Sequence, residues 1–476
     1  MPLPSTRLHL SALVATVATV MSFGFAGPVA AAAPGDLVWA NPYTGSGTYA
    51  AARHIARSRD GRIVFVAANF RPAGVGTTLD ISIVATDAVN GARRWTAILA
   101  GAAGLDDFPS GIVASPTADV VFVTGQFRTA SGGRSWVTRA YASGTGAPIW
   151  TRTFGGSGTR ADQPAAITIG PGGGRVYVTG RQDLDTGYEV RTIAYNAATG
   201  ATAWSRATST TNGQVNVRAI AINPLGNRIF VGAGMGTGNQ LRATILGYAA
   251  SDGSPLWSRS FDPTAGLAPG TQTNDGIWAI GVSPDGTRVY GTGVSTTGIA
   301  RAAMLNVAVA AGTGAPIWSQ RRGGSLGYSY GTGLAVGPGG ARIFVVGTLL
   351  SPTNDLQVTT LALRSDTGVK AWSRATVGTG PNSGDDTWSA IVIAPAGDRV
   401  YTATGVYDVG TSYDSRVTAF ATADGIPLWD RGSPGSTDQY DTWSAITIGP
   451  SGRRIYLTGE RMGALDTRAP IVAYAT

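Results

Sequence analysis

Eight tryptophans each stand four residues after a glycine, and the pair returns every 53 to 61 residues: Gly35/Trp39, Gly91/Trp95, Gly146/Trp150, Gly200/Trp204, Gly253/Trp257, Gly314/Trp318, Gly368/Trp372 and Gly425/Trp429. A marker at so even a period makes the chain an array of like units, each burying its apolar surface against the next. The same events fill every interval. A short apolar stretch such as Ala166 to Ile169 leads to a P-x-G-x-R turn such as Pro284 to Arg288, then to a β-branched strand such as Arg175 to Gly180. An alternating strand such as Val190 to Tyr195 follows, and a tight glycine turn brings the chain to the tryptophan strand. The second strand carries an aromatic in all eight units: Phe65, Phe122, Tyr177, Phe230, Tyr290, Phe344, Tyr401 and Tyr456.

Four short strands per unit, repeated eight times with no helical period, predict an all-β chain, an eight-bladed β-propeller of four-stranded antiparallel blades. Its two ends are complementary. The last unit stops after its third strand at Ala473 to Thr476, and Pro34 to Trp39 supplies the missing fourth. The N-terminal strand is therefore expected to complete the last blade and close the ring.

Composition supports β structure and narrows the partners. Among 476 residues are 68 Gly and 25 Pro, only two Glu (Glu189, Glu460) and one Lys (Lys370), so few helix-surface residues are available. The formal charge of +8 comes from arginines that recur with the repeat, without a basic run interleaved with aromatics, which argues against nucleic acid. At the N-terminus Arg7, the apolar stretch Leu8 to Phe25 and the small residues Ala30 to Ala33 have the form of a signal peptide. The expected organisation is a leader over 1–33 and one propeller domain over 34–476, secreted, with no membrane span. A closed ring needs no partner for stability, so a monomer is expected.

The segment Ala194-Tyr195-Asn196-Ala197-Ala198-Thr199-Gly200-Ala201-Thr202-Ala203-Trp204 resembles the tryptophan-docking motif of eight-bladed quinoprotein-type propellers, and six further segments end alike in G-x-x-x-W. The likeness spans nearly the whole of 34–476. For the dehydrogenases of that group it implies pyrroloquinoline quinone with calcium, in many members beside a disulfide of adjacent cysteines. This chain has no cysteine. For other members the resemblance implies a non-catalytic role, such as a scaffold in outer-membrane protein assembly.

Chemistry in a propeller gathers on the face where the loops from fourth to first and from second to third strands surround the channel. Five residues before the Ile or Leu of each first strand (Ile55, Ile112, Ile167, Ile220, Ile280, Leu334, Ile391 and Ile446) stand Ala50, Asp107, Asp162, Val215, Asp275, Ser329, Asp386 and Asp441. Five carboxylates of eight, beside Trp278, Trp388 and Trp443, suggest a pocket for a sugar, a cationic ligand or a metal ion such as calcium. The competing reading makes each Asp a local turn residue bonded to backbone amides. His54, alone in 34–476, replaces an Ala or Gly found in the other seven units, and is either a site residue or a packed imidazole. With one histidine and no cysteine, a His/Cys zinc site and a catalytic cysteine are excluded. The residues thus favour a non-enzymatic binding or scaffold protein holding an extracellular ligand, saccharide or protein at the channel mouth, with no cofactor required. The alternative is an enzyme with its site there, a quinone-dependent dehydrogenase or a saccharide hydrolase or lyase.

Overall fold

A computed structural model describes residues 32–43, 49–71, 78–156, 158–209, 213–237, 240–261, 273–298, 301–323, 327–350, 356–376, 389–408, 412–433, 441–462 and 466–476. Ala33–Thr476 forms one unit, and no helix occurs among the described residues.

Each repeat folds as the strand pattern predicts. In blade three, Gln163–Ile169, Arg175–Leu184, Gly187–Asn196 and Thr202–Ser209 pair in sequence order, all antiparallel. The innermost strands of the eight blades are Tyr49–Arg57, Phe108–Ala114, Gln163–Ile169, Gly213–Ile222, Gly276–Val282, Tyr330–Val336, Ala390–Ile393 and Asp441–Ile448. Each lies against the first strand of the next blade, and the eighth lies against the first, so they enclose the axis. Blade eight is composite. Leu37–Tyr43 pairs antiparallel with Thr467–Ala475, with Trp39 opposite Ala473 and Tyr43 opposite Ala469. Gly35 and Ala475 add backbone bonds at the seam, Gly35 N–H to Ala475 and Ala475 N–H to Asp36, both 2.9 Å.

The Gly–Trp marker works between blades rather than within one. Trp150 lies on Gly200, where a Cβ would stand 2.6 Å from the ring, and its indole N–H donates to Ala197, in the last turn of blade three, at 2.9 Å. The same docking sets Trp39 on Gly91, Trp95 on Gly146, Trp204 on Gly253, Trp257 on Gly314, Trp318 on Gly368 and Trp372 on Gly425; Trp429 meets Gly35 across the seam. Two demands coincide at these glycines: φ lies between 68° and 84°, and no side chain fits beneath the indole. Each tryptophan also packs on the second-strand aromatic of its own blade, with centroids 5.9 Å apart for Tyr177–Trp204 and 6.0 Å for Trp39–Tyr456. The core is thus a row of inter-blade layers, one docking tryptophan to each joint.

Candidate functional site

The recurrent acidic position is a staple. Asp162 is buried; one carboxylate oxygen accepts from the amide of Gly156, at the end of the preceding blade's outer strand, at 2.9 Å. The other accepts from the amide of Asp183, twenty-one residues on, at 2.8 Å. Asp107 repeats both bonds, with Gly101 at 2.5 Å and Arg128 at 3.0 Å. Asp275 holds the amide of Thr296 at 2.6 Å, and Ser329 takes the same place with the amide of Leu350 at 3.2 Å. Asp441 accepts from Arg461 Nε at 3.1 Å. Asp107 and Asp162 tie the end of the preceding blade to their own second strand, while Asp275, Ser329 and Asp441 hold the second strand of their own blade. Asp386 and Trp388 lie outside the described residues.

Burial has a cost at two of the staples. It pushes the Asp107 carboxyl up to about 6 against the pull of its two amide donors. Asp441 is likewise pushed up to about 6, by burial that outweighs the nearby Arg461. A carboxyl raised above its unfolded value contributes stability that is present below about pH 4 and lost as pH rises through about 6.

His54 behaves oppositely. Desolvation in the ring wall lowers its pKa to about 4, while a hydrogen bond to the Pro109 backbone favours the protonated ring and the Arg53 charge opposes it. The imidazole is therefore neutral at physiological pH. Its contribution is full above pH 6.5 and is lost as pH falls through about 4. As the one histidine of 34–476, it gives a direct check: its NMR titration midpoint is expected at about 4, and an ordinary midpoint of about 6.5 would place it in free solvent.

The two described tryptophans of the three, Trp278 and Trp443, part company because of a β-bulge. The first strand of seven blades shifts register at one point, between Ile277 and Ala279 in blade five and between Trp443 and Ala445 in blade eight. Trp443 precedes the bulged residue and is buried in the core with Ile455 and Tyr474. Trp278 is itself the bulged residue and is only part-buried. A one-residue offset thus sends two similar side chains to different faces.

Around Trp278 three innermost strands converge. Its ring stands 5.2 Å from that of Tyr330, in blade six, and the guanidinium of Arg218, in blade four, lies 5.3 Å over it. Arg218 Nε donates to Asn216 at 3.1 Å. Arg218 is solvent-accessible, yet the mass of the ring around it lowers its pKa through desolvation. Both observations fit a residue in a wetted channel. A second polar group lies at the seam of blades eight and one, where Tyr49 meets Glu460 at 3.5 Å and Arg71 stacks on Tyr49 at 5.6 Å. Burial raises the Glu460 pKa, with Arg53 opposing. Sequence reasoning missed Arg218, Arg53 and Glu460. For Arg218 and Arg53 the signal was the column one residue before the Ala/Gly/His position, which reads Arg53, Ser110, Ala165, Arg218, Trp278, Thr332, Ser389 and Ser444. It varies as a ligand surface does, whereas the acidic column repeats as a scaffold does.

This arrangement can hold a flat or cationic group on Trp278 and Tyr330 and an anionic one on Arg218. It offers little to calcium. Among the described residues no three acidic or histidine side chains gather as a metal site. Asp107 and Asp162 already use both oxygens on amides. These residues do not fit the calcium that a quinone cofactor brings with it.

The family model described as outer membrane protein assembly factor BamB matches residues 79–276 and 302–468. No curated protein matches the chain in sequence. Among solved structures, BamB from Moraxella catarrhalis aligns at 16% identity with a TM-score of 0.51, covering 92% of this chain and 99% of that one. Chaetomium thermophilum Sqt1, bound to the N-terminus of the ribosomal protein L10, aligns at 12% identity with a TM-score of 0.57, covering 93% and 100%. The quinohemoprotein alcohol dehydrogenase of Comamonas testosteroni aligns at 14% identity with a TM-score of 0.52, covering 92% and 76%. At such identities the likeness is one of fold.

Proposed function

This chain belongs to the family described as outer membrane protein assembly factor BamB, and on that premise we propose that it is an exported, non-enzymatic binding or scaffold protein, holding a protein or ligand on the loop face at its channel mouth. The observation that carries the reading is the cluster of Trp278, Tyr330 and Arg218, an asymmetric and accessible group on a scaffold built by repetition. Among the regular carboxylates, by contrast, Asp107 and Asp162 have both oxygens occupied by backbone amides as inter-blade staples. The leader-like pattern over 1–33 supports export, and the Moraxella catarrhalis and Chaetomium thermophilum structures support a protein as partner.

The test is a binding screen of the chain, and of its Trp278→Ala/Arg218→Ser variant, against arrays of peptides and of cell-envelope oligosaccharides. Ligands held by the parent are expected to weaken at least about tenfold in the variant, since buried aromatic and arginine anchors dominate binding energy. Melting should be nearly unchanged, because neither side chain is a core member. Equal binding by both proteins removes the channel-mouth reading. Reduction of an electron-acceptor dye with pyrroloquinoline quinone and calcium present would favour the dehydrogenase alternative instead.

A further inference from the structure

Arginines that recur with the repeat serve it. Arg175 donates to the carbonyls of Ala250 at 2.9 Å and Ser251 at 2.6 Å, and Arg454 likewise to Ala88 and Val89, each across a blade joint. Three on the loop face of blades two and three break the repeat. Arg128 ends one strand of blade two (Val120–Arg128), Arg134 opens the next (Arg134–Ala142), and the two stand directly opposite each other. Like charges paired in this way destabilise a sheet. The same two positions hold Leu350 and Leu356 in blade six, and in blade seven Tyr407 and Tyr413 with rings 5.4 Å apart. Blade one keeps half of the pattern, as Arg71, which lies over Tyr49 at 5.6 Å. Arg181, in the second strand of blade three, takes a place that is Gln126 in blade two, Gly234 in blade four and Val294 in blade five.

The main chain fixes these residues relative to one another. The Arg134 N–H donates to the Arg160 carbonyl at 2.7 Å, and its own carbonyl accepts from the Asp162 amide at 3.2 Å. Asp162 in turn holds the amide of Asp183 at 2.8 Å, two residues beyond Arg181. The Arg181 guanidinium lies flat over the Tyr188 ring, 4.4 Å from its centroid. All three arginines are part-exposed, and among the described residues no hydrogen bond or ion pair engages any of their guanidiniums. Burial lowers the Arg134 pKa, the charges of Arg128 and Arg181 lower it further, and no carboxylate counters them. The acids of these loops are committed elsewhere. Asp107 and Asp162 each hold two amides, Asp183 holds that of Ala161 at 2.8 Å, Asp185 pairs with Arg160 at 2.7 Å and Glu189 with Arg191.

We propose that Arg128, Arg134 and Arg181 form a binding site for a phosphate group, free or carried as a monoester. The chemistry follows from the charge and the forks. A phosphate brings close to two negative charges at neutral pH and three acceptor oxygens pointing in different directions. One carboxylate satisfies one guanidinium fork; a tetrahedral dianion can join several. Bound between Arg128 and Arg134, it replaces their repulsion with two attractions. Arg181 is already oriented by its stacking on Tyr188, so less freedom is lost on binding. The Trp278 cluster belongs to blades four to six, so this site stands or falls independently of the function proposed above.

Calorimetric titration of the full chain with inorganic phosphate, glycerol 3-phosphate and acetate, at matched ionic strength, tests this. Phosphate is expected to bind and to raise the melting temperature, with acetate at least about tenfold weaker. Glycerol 3-phosphate bound as well as phosphate supports an ester-borne group, and phosphate bound alone supports the free ion. Arg134→Met and Arg181→Met should each weaken phosphate about tenfold. Without phosphate Arg134→Met should melt no lower than the parent, because a repulsion is removed; a structural arginine would lower it. Arg218→Ser should leave phosphate affinity intact. If a methionine variant fails to fold, Arg134→Lys carries the test: it keeps the charge without the fork and should bind phosphate more weakly than the parent. Equal binding of phosphate and acetate, or unchanged phosphate affinity in the Arg134 and Arg181 variants, overturns the proposal. So does binding by all three anions that vanishes alike at high salt, the mark of a diffuse ion atmosphere.

Discussion

A chain that begins at Thr44 is expected to lose cooperative unfolding. The deletion removes the whole outer strand of blade eight, whose register runs from Leu37 opposite Tyr474 to Tyr43 opposite Ala469. It also removes Trp39, which covers Gly91 and donates to Ala88, and Gly35, which lies beneath Trp429 and accepts from Arg431 at 3.0 Å. Two inter-blade joints open together, and the third strand of blade eight becomes an unpaired edge prone to pairing with other chains. Calorimetry should show a broad transition well below that of the parent, with concentration-dependent association. A circular permutant carrying residues 33–43 after Thr476 on a short glycine linker should melt as the parent does. If the deletion melts within a few degrees of the parent, the seam is not what holds the ring.

The second large effect is expected at Asp162. Substitution by Ala leaves the part-buried amides of Gly156 and Asp183 without their acceptor, where each unmet donor costs about 1–3 kcal/mol. The sum, about 4 kcal/mol, should appear in denaturant unfolding as a lowered midpoint. In a ring this large it shifts the melting temperature by only about 1 °C per kcal/mol, so denaturant is the more sensitive probe. Ligand binding at the channel mouth should survive the substitution under native conditions. A variant that stays as stable as the parent but loses binding would return Asp162 to the site.

The ring was legible because its determinants are periodic and local. Glycine turns, β-branched second strands and one tryptophan per unit announce themselves at a fixed spacing, and the half-unit at each end specified the closure. What Trp204 touches was not legible, because its docking glycine, Gly253, belongs to the following repeat and lies as far along the chain as the blade is long. The acidic column illustrates the harder limit. Asp107, Asp162 and Asp275 have the same pattern whether they face a ligand or an amide twenty-one residues away, and only geometry separates the two. For Trp278 and Trp443 the deciding feature was a bulge of one residue, which no alternation of side chains reveals. Arg218 shows only as a break in one column of the repeat and nothing marks Glu460; both matter through residues of neighbouring blades.

The tryptophan-on-glycine joint has a direction: every blade offers an indole forward and a glycine turn backward. In the language of assemblies this is a heterologous, head-to-tail interface, used eight times about one pseudo-rotational axis. Such an interface does not itself count. It turns each module by about 45° and stops only when the last indole meets the first glycine. The joint between Trp429 and Gly35 shows that it works equally well between segments that are not consecutive in the chain. Covalent continuity, then, is what keeps this ring unimolecular, and a half-length array of the same modules carries the instructions for a two-chain ring.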